Sequence, residues 1–446
     1  MERVHRKPTI ALVIRPFQEF AEKETSGGIL LFLATVVAIA WANSPWSSAY
    51  FTLWGTKFTI GLGEVALSKP LLLWINEGLM TLFFLVVGLE IKRELLAGEL
   101  ASPKQSALPI AAALGGMLVP AGIYIALNAG GPGARGWGIP MATDIAFSLG
   151  VMALLGNRVP FSLKVFLTAF AIVDDIGGVL VIALFYTREI SWIALAGGAA
   201  FLLFLLLMNW AGVQRLLPYG VLGIGLWLAF LESGIHATIS GVLLAMTIPS
   251  RARLVPGEFL SKSRAILAEF EHAAEEDILT NENRQAAIRA LERACALSEA
   301  PMQRLEHTLH PWVTFGILPL FALANAGVTL AGDLSSSLLQ PVSLGVILGL
   351  VLGKQIGVTL FAWLAVRTGL ATRPTGATWG QIYAVGWLGG IGFTMSLFIA
   401  SLAFGDTQLL DLAKVGIFTA SLIAGVGGWL LLRFLSPPPQ PLLRNA

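Results

Sequence analysis

Hydrophobic residues along this chain gather into long runs separated by short polar stretches. At 1.5 Å per helical residue, about 20 apolar positions cross a hydrocarbon core of about 30 Å. The pattern predicts twelve spanning helices at 28–43, 71–92, 107–127, 134–156, 160–186, 191–209, 216–231, 234–249, 311–330, 343–366, 381–403 and 409–434. Three stretches break this rhythm. Between the first two helices, at about 50–70, β-branched residues and glycines in partial alternation predict a small periplasmic β-hairpin, whose exposed edge offers a dimer contact. Residues 251–306 mix acidic and basic side chains with apolar positions at helical spacing, as in Ile288, Leu291 and Cys295. They are read as a cytoplasmic insertion of two amphipathic helices joined near Thr280 to Asn283. The end, 436–446, is proline-rich and predicts a disordered tail, while 1–27 forms a polar cytoplasmic segment. The organisation is therefore 1–27, helices one to eight over 28–250, the insertion, helices nine to twelve over 307–435, and the tail.

Composition turns this pattern into a class. With 56% hydrophobic residues, 13% charged residues and a mean hydropathy of +0.76, the chain is an all-α polytopic membrane protein rather than several soluble domains. Of 29 basic residues, only Lys57, Lys69, Arg135, Arg188, Lys414 and Lys354 fall outside the tails and the connections on one side. That bias puts both termini in the cytoplasm and supports an even helix count. The net charge of +2 reflects this sidedness and points to no nucleic acid. A single cysteine, Cys295, excludes an internal disulfide. No HExxH, Walker A or GxSxG pattern is present, and no cofactor is expected.

Two helices are interrupted. Gly131-Pro132-Gly133 precedes the fourth, and the stretch from Trp137 through Pro140 to Asp144 interrupts its first half; the eleventh shows a similar fault from Gly386 to Ser396. Each is the middle of three, in 107–186 and 343–434, and the triplets start on opposite sides of the membrane. This is the mark of an inverted-topology repeat with two broken, crossed helices, a device already established for transporters of this architecture.

Four ionisable residues lie deep in spans: Asp144, Asp174, Asp175 and Lys354. An acid at that depth costs about 2.5–3.5 kcal/mol on insertion scales. Successive helical residues diverge by about 100°, so Asp174 and Asp175 cannot both face one partner. The pair meets water, holds a proton or is compensated by a cation. Desolvation and a like-charged neighbour favour the neutral carboxyl, so a sodium ion and protons would compete for one site. Either aspartate suits the ion, the other facing Lys354. Hydroxyls on Thr143, Thr394 and Ser396 add hard oxygens for an alkali cation. At the end of the second helix, Glu90 to Glu94 reads by itself as a snorkelling interfacial terminus. Among other classes, an intramembrane aspartyl protease needs separated aspartates and a GxGD context, and a passive channel needs no lysine-compensated site. A symporter with crossed helices fits the paired acids and Lys354 less well.

Ala142 to Phe147, Val173-Asp174-Asp175, Ala324 to Gly327, Gly349 to Lys354 and Gly390 to Ser396 resemble bacterial sodium–proton antiporters of the NhaA type. So do Leu305 to Trp312 and Gly88 to Glu94, over about 20–435 in all. The resemblance implies the NhaA-like fold, itself an established case of the inverted repeat, and the bacterial inner membrane as its location. It implies electrogenic export of Na+ or Li+ in exchange for protons, with pH regulation serving sodium and pH homeostasis. Carried over, Asp175 is the main transient Na+ ligand, Asp174 shares the metal site and faces Lys354, and Thr143 and Asp144 lie at the crossing. Glu90, Arg93, Glu94, Glu306, His307 and His310 match pH-response positions at a cytoplasmic funnel; His236 matches another, although the expected topology puts it near the periplasmic end of helix eight; and the hairpin matches a homodimer contact. The stretch 255–303 exceeds the short connection expected, so removing 258–302 is expected to shift pH dependence more than maximal rate.

Overall fold

The computed structural model describes residues 24–62, 65–187, 189–272, 282–329, 334–405 and 407–436. The N-terminal segment lies mostly, and the C-terminal tail almost wholly, outside them, as do Thr280 and Asn281 at the expected insertion join. Ser436, assigned to the tail from sequence, belongs to the fold: it is buried and accepts a hydrogen bond from Gln381 Nε2 at 3.1 Å.

The chain is helical with one small sheet. Helix α1 (Glu24–Ala42) turns sharply into α2 (Ser47–Gly55), a bend of 113°. Strands β1 (Lys57–Leu62) and β2 (Val65–Pro70) then pair antiparallel, Thr59 opposite Ser68. The hairpin is thus shorter than the expected 50–70. Thr52-Leu53-Trp54, read from sequence as strand, is helical because Tyr50 and Trp54 pack one turn apart into the core.

Long helices follow: α3 (Leu71–Ala97), α4 (Pro103–Asn128), α6 (Phe161–Phe185), α7 (Trp192–Trp210), α8 (Leu216–Ser233), α14 (Pro341–Arg367) and α17 (Gln408–Leu435). Between them lie α5 (Ile145–Ala153), α9 (Ile239–Thr247), α10 (Pro256–His272), α11 (Glu282–Ser298), α12, α13 (Leu334–Leu338), α15 (Trp379–Gly389) and α16 (Phe393–Phe404). Helix α12 runs Pro301–Trp312, passes a π-turn at Val313–Ile317 and ends with Leu318–Asn325.

Among the described residues, seven helices are long and apolar enough to cross a membrane, or nine if each bent pair forms one span. With each bent pair counted as one span, three of the twelve expected spans still lack a single long helix. The stretch 134–156 splits into a 3-10 segment, Ala134–Met141, an extended Ala142-Thr143-Asp144 and α5. In 234–249 the chain turns before the nine-residue α9. The third, 311–330, starts earlier, since Pro301 begins α12 inside the stretch assigned to the insertion, and ends at Asn325. Buried Met302 donates its N–H to Pro249 O at 3.1 Å, which ties that start to the bundle.

The main core lies where α4, α6 and α14 to α17 pack. Gly115 and Gly357 let α4 and α14 approach until a Cβ on either would stand 2.1 Å from the other's carbonyl oxygen. By contrast α7 exposes Leu203, Phe204, Leu206 and Leu207, a face suited to lipid.

Candidate functional site

The two interrupted helices meet at their breaks. Pro140 removes a backbone donor, and the chain runs extended through Thr143 until Asp144 caps α5, its Oδ1 accepting from Phe147 N at 3.0 Å. On the other side Gly390 separates α15 from α16, which bend by 45°. Only glycine fits there, because a Cβ at Gly390 would lie 2.4 Å from Leu350 O.

Peptide groups freed by each break are satisfied by the other. Asp144 N donates to Ile391 O at 2.7 Å, Thr143 Oγ1 to Gly389 O at 2.8 Å and Ser148 Oγ to Leu388 O at 2.8 Å. In return, Ser396 Oγ donates to Ile139 O at 2.8 Å, and Thr394 gives both its N–H and its hydroxyl to Asp144 Oδ2. Unpaired peptide groups are expensive in hydrocarbon, and these are matched across the gap.

Helix α6 carries the paired acids beside this junction. Lys354 Nζ donates to Asp174 Oδ2 at 2.7 Å, both side chains fully buried, and the ammonium lies 5.5 Å from the Phe170 ring centre. Asp175, one residue on, points elsewhere, as the helical angle requires. The residue-level choice left open by sequence is resolved in geometry: Asp174 is the lysine partner. Oδ1 of Asp174 and Oδ1 of Asp175 have no hydrogen-bond partner among the described residues. Nor, among these residues, is any group of three or more His, Cys, Asp or Glu arranged to hold a metal. A bound cation would therefore draw on the two aspartates plus hydroxyl, carbonyl or water oxygens.

A cavity of about 470 Å³ reaches this point. Its inner wall includes Asp175, Asp144 and Thr394; farther out it is lined by Glu90, Arg93, Glu306, His307 and His310. Thr143, Asp174 and Lys354 are not among its lining residues. Arg93 pairs with Glu306 and lies 3.4 Å from Glu94, which in turn accepts from Glu99 N. His307 Nδ1 stands 3.4 Å from Glu299, just beyond α11, so the two-helix stretch touches the cavity mouth.

His236 stands apart from this group. It sits in the turn before α9, its Nδ1 3.2 Å from Thr238 Oγ1 and its ring edge-on to Phe398 at 5.5 Å. The resemblance groups it with the pH-response residues, but it does not line their cavity.

Sequence reasoning missed a second polar cluster. Asn76 and Asn325 exchange two hydrogen bonds, 3.0 and 2.8 Å, joining α3 to the end of α12. Past Asn325 the chain leaves the helix, held by Tyr50, which donates to Leu323 O and accepts from Gly327 N, and by Lys414 Nζ on Gly327 O. Ala324 to Gly327 was legible as a motif, but a lone Asn in an apolar run gives no sign of its partner.

Buried charge between interrupted helices, in an apolar bundle and reached by a polar cavity, is the arrangement of a multi-pass membrane transporter. The chain belongs to the Na+/H+ antiporter 1 family, whose model matches residues 18–432. It is 56% identical over 431 residues to the Na+/H+ antiporter NhaA of Oleidesulfovibrio alaskensis, covering 96% of each chain. It is also 51% identical to Na+/H+ antiporter NhaA 2 of Syntrophotalea carbinolica, over 95% of this chain and 97% of the relative. To NhaA of Koribacter versatilis it is 49% identical, over 100% and 98%.

Proposed function

We propose that the protein exports Na+, and Li+, in electrogenic exchange for protons across a bacterial inner membrane, with twelve passes and both termini cytoplasmic. The observation that carries this reading is the division of labour between neighbours: Asp175 lines the cavity while Asp174 is held by Lys354 behind it. A cation entering the cavity meets Asp175 first, with Asp144 and Thr394 beside it. It binds only when the carboxyl is ionised, so proton and sodium exclude one another. When the cation also draws on Asp174, Lys354 loses its counter-charge and gives up its proton to water. Two protons then leave the site for one sodium ion gained, which makes the exchange electrogenic. Asp144 offsets the partial positive charge at the start of α5, and Lys354 balances the acids around it.

Glu90, Arg93, Glu94, Glu306, His307 and His310 would set the pH response at the cavity mouth, where ion pairs and imidazoles control entry. His236, lying elsewhere, would act from the opposite side through Phe398. The hairpin edge would pair with a second copy to form a homodimer.

The test is sodium-driven proton movement in proteoliposomes under a set membrane potential. Asp175→Asn is expected to abolish exchange while the protein elutes and melts as wild type. Normal exchange by that variant removes the ligand assignment, and insensitivity to potential removes electrogenicity.

A further inference from the structure

A groove of about 580 Å³ opens on the apolar surface where α1, α5 and α17 meet, sharing no lining residue with the ion-site cavity. Its floor is the outer side of the second helix break. Ile391 and Phe393 line it, with Phe147 from α5. Phe147 and Phe393 meet edge to face at 5.0 Å, and Phe393 lies 5.8 Å from Phe418.

The groove holds two hydroxyls, and both are already engaged: Thr35 Oγ1 donates to Leu31 O at 2.8 Å, and Ser421 Oγ accepts from Phe393 N at 3.2 Å. With every other lining side chain apolar, the groove suits hydrocarbon rather than a polar ligand. Along α17, Phe418, Leu422, Gly425 and Trp429 follow at three- and four-residue spacing and form one stripe. From Phe418 to Trp429 it rises about 16 Å, the depth of one leaflet of a core of about 30 Å.

The stripe continues one turn to Arg433, in the last turn of α17, whose guanidinium lies 5.0 Å from the Trp429 ring centre. Among the described residues Arg433 makes no ion pair. It is exposed at the level where an indole marks the membrane interface. A second apolar groove, walled by Trp74 and Trp227 and by Leu71, differs: Lys69, two residues before that wall, is already held by Glu77 at 3.1 Å.

The geometry points to a binding site for one anionic phospholipid, its phosphate on Arg433 and an acyl chain along the stripe against the helix break. The chain end rests on Ile391, whose carbonyl accepts the Asp144 N–H. The lipid thus supports from outside the junction that the ion site uses from within.

The test is retention of lipid by the full-length protein. It is loaded with equimolar phosphatidylglycerol and phosphatidylcholine, washed in detergent and read by native mass spectrometry. Wild type is expected to retain one phosphatidylglycerol per protomer, preferred about fivefold over phosphatidylcholine. Arg433→Gln should abolish that preference. Gly425→Leu fills the groove, since a Cβ there meets only Ile391 at 3.6 and 3.9 Å, and should expel the lipid. Equal retention of the two lipids by wild type overturns the proposal. So does an unchanged preference in a folded Arg433→Gln, or undiminished retention in a folded Gly425→Leu.

Discussion

Gly357→Ala is expected to uncouple the lysine–aspartate pair from its scaffold. The added Cβ would stand 2.1 Å from Gly115 O and 2.5 Å from Gly115 C, backbone atoms that cannot rotate away. Ordinary contact begins near 3.4 Å, so α14 must withdraw from α4 by about 1.3 Å. Lys354 lies three residues before Gly357 on the same helix face and moves with it. The 2.7 Å pair with Asp174 would open to roughly 4 Å. At an effective dielectric constant of about 20 this weakens the attraction by about 2 kcal/mol, a factor of about 30 in a step that depends on the pair. Overpacking adds about 1–3 kcal/mol of destabilisation. Sodium-driven proton flux in proteoliposomes should therefore fall at least about 30-fold, and the melting temperature in detergent should drop. Gly122→Ala, on the same α4 with nothing within 4 Å of its Cβ, is the control and should match or exceed wild type in stability. Wild-type flux and melting in Gly357→Ala would refute the claim that this crossing positions Lys354.

Asn76→Ala or Asn325→Ala alone strands a buried carboxamide and should destabilise by about 1–3 kcal/mol, whereas the double variant should lose less than the two singles together; strict additivity in thermal melts would show that the reciprocal bonds do not couple α3 to α12. Asp144→Ala removes the cap of α5 and the acceptor for Thr394, and should cost about 0.5–2 kcal/mol for the cap alone; Asp144→Asn, which keeps an acceptor, should melt closer to wild type. Because Met302 is buried and bonded to Pro249, the expected deletion is better confined to 258–298. It should shift the pH profile of exchange more than the maximal rate, and an unchanged profile would deny these helices a regulatory part.

The long uninterrupted helices were readable because lipid imposes one requirement on them, a continuous apolar run. The two interrupted helices were readable for the opposite reason: Pro140 with its neighbouring glycines and the Gly389–Gly392 run weaken continuous helix where they fall. What escaped depended on tertiary partners. Thr52-Leu53-Trp54 alternates as a strand would, but Tyr50 reaches Leu323 and Gly327 and fixes a helix there. The start of α12 was hidden because Pro301 to His310 is charged enough to pass for surface, although Glu306 is buried against Arg93. Of the site, Asp144, Asp174, Asp175 and Lys354 stood out as charges in apolar surroundings. The separation of His236 was legible too, since the expected topology put it near the periplasmic end of helix eight; its packing against Phe398 was not.

The exchange of hydrogen bonds between the two breaks carries a constraint on how the molecule can move and how it can evolve. Neither interruption can lengthen, shorten or re-form as continuous helix by itself, because peptide groups on the opposite chain segment would be stranded in oil. Any rearrangement that opens the ion site must carry both crossings together, like meshed gears. A single-residue insertion at one crossing would be tolerated only with a matching change at its counterpart some 250 positions away in the chain.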